Sequence, residues 1–291
     1  MRDISLLVNP ASGKGRARGA ARRAVDRLRR AGASVTELVG ADAAHALRLA
    51  EHAVASGTEA LVVCGGDGIM NTALRAAVGT ATPIGLIPAG TGNDYARMLG
   101  IHGSDPETAA RVVLDGGTRA LDAGRCGEHW FGTVLAGGFD ARVNERTNRM
   151  SWPRGEWRYN LAVLAELARL RPLDYVLELD GRSWHTSAVL VAVGNGPSYG
   201  GGMRICPDAV PDDGLLDVTV IGPVAARRLI RVLPTVYSGK HVEYSQVSTF
   251  RARRVSLSVP GVTAYADGDP LAAAPWDVEC VPRAVNVLVS G

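Results

Sequence analysis

Residues Ala60-Leu61-Val62-Val63-Cys64 form an unbroken apolar run that ends in Gly65-Gly66-Asp67-Gly68 and opens into Ile69-Met70-Asn71-Thr72-Ala73-Leu74-Arg75, and this succession constrains the fold more than any other stretch. An apolar run closed by glycines suits a strand buried on both faces of a parallel sheet. Pro83 to Pro88 repeats the pattern and leads into Ala89-Gly90-Thr91-Gly92-Asn93-Asp94, with Asn93 and Asp94 placed to cap a helix starting at Tyr95. Glycine lets backbone N–H groups approach an anion closely, because no Cβ intervenes and positive φ is allowed. Strand, glycine turn and helix therefore form a phosphate cradle, here twice over. A carboxylate such as Asp67 among phosphates calls for Mg²⁺ between them.

The same alternation runs from the N-terminus: Ile4 to Val8, a helix over Arg16 to Arg30, Ser34 to Val39, a helix over Ala43 to Ala55, then Ala60 to Cys64. It predicts a doubly wound parallel sheet with ligands beyond the carboxyl ends of its strands. The loops at Asn9, Gly65 and Gly90 all follow strands and share that edge. From about Leu121 the pattern turns β-rich, with His129 to Ala136, Tyr175 to Leu179, Trp184 to Val193 across the Asp180-Gly181 hairpin signal, Leu215 to Ile221, Val255 to Val259 and Asp277 to Val281. A sandwich-like second domain follows. An amphipathic helix with Trp157, Leu161, Leu164, Ala165 and Ala168 on its apolar side interrupts it, and another runs from Val224 to about Tyr237.

Six collinear segments resemble the diacylglycerol kinase catalytic superfamily of lipid kinases, which includes bacterial diacylglycerol kinases and sphingosine and ceramide kinases. They are Val8 to Gly15, Gly65 to Gly68, Pro88 to Asp94, Gly194 to Met203, Pro207 to Asp217 and Ala266 to Leu271. The resemblance implies a nucleotide domain over residues 1–122, a β-rich lipid-substrate domain over 123–282, and a last strand, 283–291, returning to the first domain. It implies that Asn9, Pro10, Ala11, Ser12, Gly13, Gly65, Gly66, Asp67, Gly68, Ile69, Met70, Asn71, Thr91 and Asn93 bind ATP, that Asn93 and Asp94 stand next to the reacting phosphate, and that Asp67 and Asp94 are catalytic, Asp67 by facing the magnesium network. Mg²⁺ is implied at Asp213 and the carbonyls of Val210 and Leu215. Asp269 occupies the place of the family's glutamate, the base that deprotonates the acceptor hydroxyl, with Asp267 as the fallback. Two positions depart from the family pattern: Ile69 replaces a threonine, and Asp269 is one methylene shorter than glutamate. An NAD-kinase-like enzyme with a soluble substrate and a catalytically weak lipid-binding protein stay open beside the lipid kinase.

Composition limits the partners. Hydrophobic content of 46% and charged content of 21% describe a globular chain, and a net charge of +3 gives no general attraction to nucleic acid. Arg16, Arg18, Arg22, Arg23, Arg27, Arg29 and Arg30 crowd one helix, whose alanines and Leu28 recur at core spacing, so the arginines solvate its outer faces. Cys64, Cys126, Cys206 and Cys280 form no C-x-x-C pair, which argues against disulfides and a zinc site. Arg2 and Asp3 lead straight into the first strand without a signal-peptide pattern. The uncharged stretches Ala76 to Asn93 and Thr186 to Met203 are broken by proline and glycine, so a lipid would be met peripherally, from the cytoplasm at the inner face of the membrane. An exposed strand edge in the β domain leaves a homodimer open.

Overall fold

A computed structural model describes residues 2–101, 105–137 and 171–290. The helix expected around Trp157 to Ala168 lies outside the described residues. Strands β1 (Asp3–Val8), β2 (Ser34–Val39), β3 (Ala60–Gly65) and β4 (Ile84–Pro88) pair in parallel in the order β2-β1-β3-β4. Helices α1 (Arg16–Arg30), α2 (Ala43–Ala55) and α3 (Asp67–Ala77) connect them; α4 (Asp94–Met98) and α5 (Pro106–Asp115) follow β4. The crossovers from β1 to β2 and from β2 to β3 move in opposite directions, so right-handed connections put α1 and α2 on opposite faces of the sheet. Helix α5 packs beside α1, and α3 beside α2. Covered on both faces, β3 is buried at every position, as its unbroken apolar sequence requires. On α1, Ala17, Ala21, Ala24, Val25 and Leu28 are buried and the arginines lie outside.

The remaining strands are β5 (Gly117–Cys126), β6 (His129–Phe131), β7 (Val134–Gly137), β8 (Leu173–Leu179), β9 (Arg182–Ala188), β10 (Leu190–Gly194), β11 (Leu216–Ile221), β12 (Val247–Ala252), β13 (Arg254–Ser258), β14 (Ala264–Ala266), β15 (Asp269–Pro270) and β16 (Trp276–Val289), with α6 (Ala226–Ser238) between β11 and β12. The parallel sheet continues through β16, β13, β8 and β9, with β5 and β6 branching from β16. A six-stranded sheet of order β12-β11-β10-β7-β14-β15 packs against this extension. Leu177, Val255, Leu257 and Val278 from one sheet meet Leu135, Val191, Val193 and Val218 from the other, which forms the sandwich core. The outer face of β7 and β10 packs on Met203, Ile205 and Val236 of the following loop and α6. The fold is thus an α/β domain with a C-terminal β-sandwich-like domain.

Several strand boundaries differ from the sequence pattern. Trp184 to Val193 reads as one strand but divides at Val189, because β9 pairs with β8 in the large sheet while β10 pairs with β7 and β11 in the other. His129 to Ala136 divides at Gly132-Thr133, whose amides bond a side chain instead of a neighbouring strand. The runs Asp277 to Val281 and Ala284 to Val289 are one strand, β16, with a register shift between Val281 and Val285. Its first half pairs with β13 and its last residues with β4, while β5 runs alongside both. Thus β5 and β16 form a two-stranded ribbon joining the two domains. Among the described residues no helix is long and apolar enough to cross a membrane.

Candidate functional site

The chain reverses direction across the sheet between β1 and β3, so a crevice opens there at the carboxyl ends of the strands. The loops after β1, β3 and β4 close its floor backbone to backbone. Asn9 N–H donates to the Cys64 carbonyl at 3.2 Å and Ala89 N–H to the Gly65 carbonyl at 2.8 Å. Gly13 has φ of +59°, and a Cβ there would stand 2.1 Å from the Ala89 carbonyl oxygen. A Cβ on Gly90 would stand 2.4 Å from the Gly66 Cα. Gly90→Ala should therefore force two backbones apart and cost about 1–3 kcal/mol by urea denaturation. Gly68, with open space around it, should tolerate alanine within about 0.5 kcal/mol. Equal stability of the two variants would contradict this packing.

Helix α3 starts at Asp67 with no side-chain cap from Gly66, so its first N–H groups remain available to an anion at the crevice. Gly65, Gly66, Gly68 and the loop Asn9 to Gly13 lie on this floor, and Thr91 is exposed at its rim without a hydrogen-bond partner among the described residues. Ile69 and Met70 instead point into the α/β core. Ile69 Cγ2 lies against Gly65 next to Ser12, a methyl group that a threonine at this position would also carry. Asn93 adopts φ of +56° and does not cap α4 as its sequence position suggests. Its side chain instead accepts from Gly90 N–H at 3.0 Å and donates to the Gly90 carbonyl at 3.2 Å, which holds the turn.

Asp67 accepts the Tyr95 N–H at 3.1 Å and has no ion-pair partner among the described residues. Burial, then Asp94 and, more weakly, Asp267, push its pKa up to about 6. An unfolded aspartate titrates near 4, so this group favours the fold at low pH, and the contribution is lost as pH rises through about 6. Asp67→Asn keeps the acceptor for Tyr95 and should stabilise the protein by about 2 kcal/mol at pH 8, with the gain vanishing toward pH 4. Melting curves of both proteins across that range check it; a pH-independent difference would be contrary. A divalent cation would relieve the same repulsion, so the residues at Asp67 fit Mg²⁺ carried with a triphosphate.

Asp94 is buried and fully engaged. Its carboxylate accepts Ser198 Oγ at 3.0 Å, Gly201 N–H at 2.7 Å, Gly202 N–H at 2.8 Å and Arg97 Nη1 at 3.1 Å. Gly200, Gly201 and Gly202 all have positive φ, which turns successive amides toward one anion. In this arrangement Asp94 fastens the second domain's glycine loop to α4.

Asp267 is the other interdomain anchor. Its Oδ2 accepts from Asn71 Nδ2 at 3.1 Å, Gly132 N–H at 2.8 Å and the Tyr95 hydroxyl; its Oδ1 accepts from the Thr133 N–H at 3.0 Å, the Thr133 hydroxyl and the Val134 N–H at 3.3 Å. Asn71 lies one turn after Asp67 on the same face of α3. The turn continues through Gly268 to Asp269, which is exposed in β15 and pairs with Ala266 through its backbone, while its carboxylate makes no hydrogen bond or ion pair among the described residues. Among the described residues, Asp267 is saturated and the Asp269 carboxylate is free.

The segment Val210 to Leu215 packs beside β5. Buried Asp122 accepts the Gly214 N–H at 2.6 Å and the Arg283 N–H at 2.7 Å, and Asn195 Nδ2 bridges the Asp122 and Gly132 carbonyls. Asp213 pairs with Arg251 and accepts the Leu215 N–H at 3.0 Å, so its charge is already matched. Among the described residues no three acidic, histidine or cysteine side chains gather as a metal cluster. The expected set at Val210, Asp213 and Leu215 has one carboxylate, already paired with Arg251, and two backbone carbonyls. A charged groove of about 910 Å³, with Arg125, Glu178, Arg254 and Asp277 among its walls, opens on the sandwich and contains none of these residues.

No sequence motif assigns a site role to Tyr95, Ser198, Asp122 or the Gly132-Thr133 amides. Only Asp122 carried a signal, a lone carboxylate between Leu121 and Ala123 in an apolar strand.

With this geometry in hand, residues 3–126 match the diacylglycerol kinase catalytic domain, and residues 132–289 match the YegS C-terminal NAD kinase beta sandwich-like domain. The chain is 48% identical over 291 residues to a protein named diacylglycerol kinase of Mycobacterium tuberculosis (strain ATCC 25618 / H37Rv), covering 98% of this chain and 94% of the relative. It is 30% identical over 254 residues to the "Probable lipid kinase YegS-like" of Stenotrophomonas maltophilia (strain K279a), covering 82% of each. A crystal structure of a diacylglycerol kinase from Bacillus anthracis str. Sterne superposes with a TM-score of 0.80 over 99% of this chain and 97% of that one; at 22% identity this is a likeness of fold.

Proposed function

The chain belongs to the diacylglycerol kinase family of lipid kinases, and from that premise we propose that it transfers the γ-phosphoryl group of ATP to a hydroxyl of diacylglycerol or a similar lipid, giving a phosphatidic-acid-type product. The observation that carries the chemistry is the free carboxylate of Asp269, on a turn whose other carboxylate, Asp267, is bonded to both α3 and α4. Asp269 takes the acceptor hydroxyl's proton while the oxygen bonds to the γ-phosphorus and the bond to the β–γ bridging oxygen breaks, releasing ADP. The loops Asn9 to Gly13, Gly65 to Gly68 and Gly90 to Asn93 hold the triphosphate through backbone amides, and Thr91 offers its hydroxyl at the rim. Asp67 would hold Mg²⁺ carried with the triphosphate, which would supply charge neutralisation there. Asp94 and Asp267 keep the domains in register, and contact with the lipid is peripheral.

A second reading has one specific support, the match of residues 132–289 to an NAD kinase beta sandwich-like domain. Incubating purified protein with Mg²⁺ and labelled ATP against neutral lipids in mixed micelles, sphingoid bases and NAD separates the two. Label in a neutral lipid is the expected outcome. Label in NAD alone would replace the lipid reading, and lipid binding without any transfer would leave a binding protein.

A further inference from the structure

Tyr95 touches both halves of the site. It is buried at 3% exposure in α4, directly after the loop that closes the crevice floor. Its backbone N–H donates to Asp67 Oδ1 at 3.1 Å, at the start of the helix facing the crevice. Its hydroxyl donates to Asp267 Oδ2 and accepts the Gly132 N–H at 2.9 Å. Gly132 is glycine because a Cβ there would lie 2.6 Å from that hydroxyl. One residue therefore bonds the carboxylate that faces the nucleotide loops and the carboxylate that fixes the turn bearing Asp269. Asn71 closes the circuit, since it stands one turn beyond Asp67 on α3 and also donates to Asp267.

We propose that Tyr95 is a positioning residue that couples nucleotide occupancy at the start of α3 to the conformation of the Asp267-Gly268-Asp269 turn, so that the acceptor base is set in place when nucleotide is bound. The physical basis is rigidity: Asp67 and Asn71 belong to one helix, and the Tyr95 ring is locked between it and the Gly132 backbone. A shift of α3 by an anion at its N-terminus reaches Asp267 by two routes, the Asn71 amide and the Tyr95 hydroxyl. Of the two, only the hydroxyl can be deleted without changing packing volume. The catalytic consequence rests on the lipid-kinase reading; the coupling itself does not.

Tyr95→Phe tests both. Hydrogen exchange is read at Asp267, whose N–H donates to the Val134 carbonyl at 3.1 Å, and at Leu271, whose N–H donates to the Ala264 carbonyl at 2.8 Å. A non-hydrolysable ATP analogue with Mg²⁺ should slow exchange over residues 264–271 in the wild type and slow it clearly less in Tyr95→Phe, where only the Asn71 route remains, although the analogue binds both. Equal protection in both proteins, or none in the wild type, would overturn the proposal. In the kinase assay the variant should lose about tenfold in kcat with the KM for ATP held within about twofold, a split that a general loss of fold would not give. Adding Asp269→Asn to Tyr95→Phe should slow the reaction no further than Asp269→Asn alone, and multiplicative losses would contradict action through the turn. Failure of the wild type to phosphorylate any lipid would remove the proposed function and leave the exchange comparison to decide on Tyr95.

Discussion

Asp269→Asn is expected to lower kcat by about 10²–10⁴-fold, the usual contribution of a positioned general base, with the KM for ATP within about twofold of wild type. The substitution keeps the size and shape of the side chain and removes its capacity to accept a proton. Among the described residues nothing else depends on this carboxylate, because the Asp269 side chain is exposed and bonds no described side chain or amide. Its turn is held by Asp267, so the backbone should stay in place, and the melting temperature should match the wild type. Steady-state kinetics in lipid micelles with varied ATP make the comparison. Parallel losses in turnover and nucleotide affinity would mark Asp269 as structural and return the base to another group. Asp269→Glu restores the family's longer carboxylate and should keep the activity.

Asp267→Ala should produce the largest loss of stability of any single change at the site, about 3–5 kcal/mol. The carboxylate gathers Asn71, Tyr95, Gly132, Thr133 and Val134 around two oxygens, and its removal leaves those donors facing a small cavity. Each buried donor without a partner costs about 1–3 kcal/mol, less where water enters, and losses inside one network do not add. The effect should appear in urea denaturation as a lowered midpoint with activity lost in proportion to the fold. A variant as stable as wild type but inactive would show that Asp267, rather than Asp269, does the chemistry. The two aspartates, separated by one glycine, are thus expected to fail in different ways.

The glycine turns were legible because glycine reports a local backbone requirement. Gly13, Gly66 and Gly90 lie where the three loops touch, and a buried parallel strand must read as an unbroken apolar run such as Ala60 to Cys64. Strand ends in the β domain were less legible. Nothing in Trp184 to Val193 marks the change of sheet at Val189, since residues in both sheets face one core and the apolar pattern continues across the corner. The break at Gly132-Thr133 depends on Asp267, more than a hundred residues away, and no local periodicity carries that information. Motif matching found Asp94, Asn71 and Asp267 but not their partners. A sequence motif marks a residue and leaves open whether its side chain faces a ligand or, as with Asp94, a glycine loop of the other domain.

Phosphoryl transfer from ATP to a lipid hydroxyl is decided with purified wild-type protein, ATP labelled at the γ-phosphate, Mg²⁺ and diacylglycerol in mixed micelles, with the lipid extract resolved and the product identified by mass. Labelled phosphatidic acid is expected to accumulate with time, to be abolished by chelation of Mg²⁺, and to be nearly absent with Asp269→Asn. A lipid extract without label from any neutral lipid or sphingoid base, from protein that binds ATP, would contradict it.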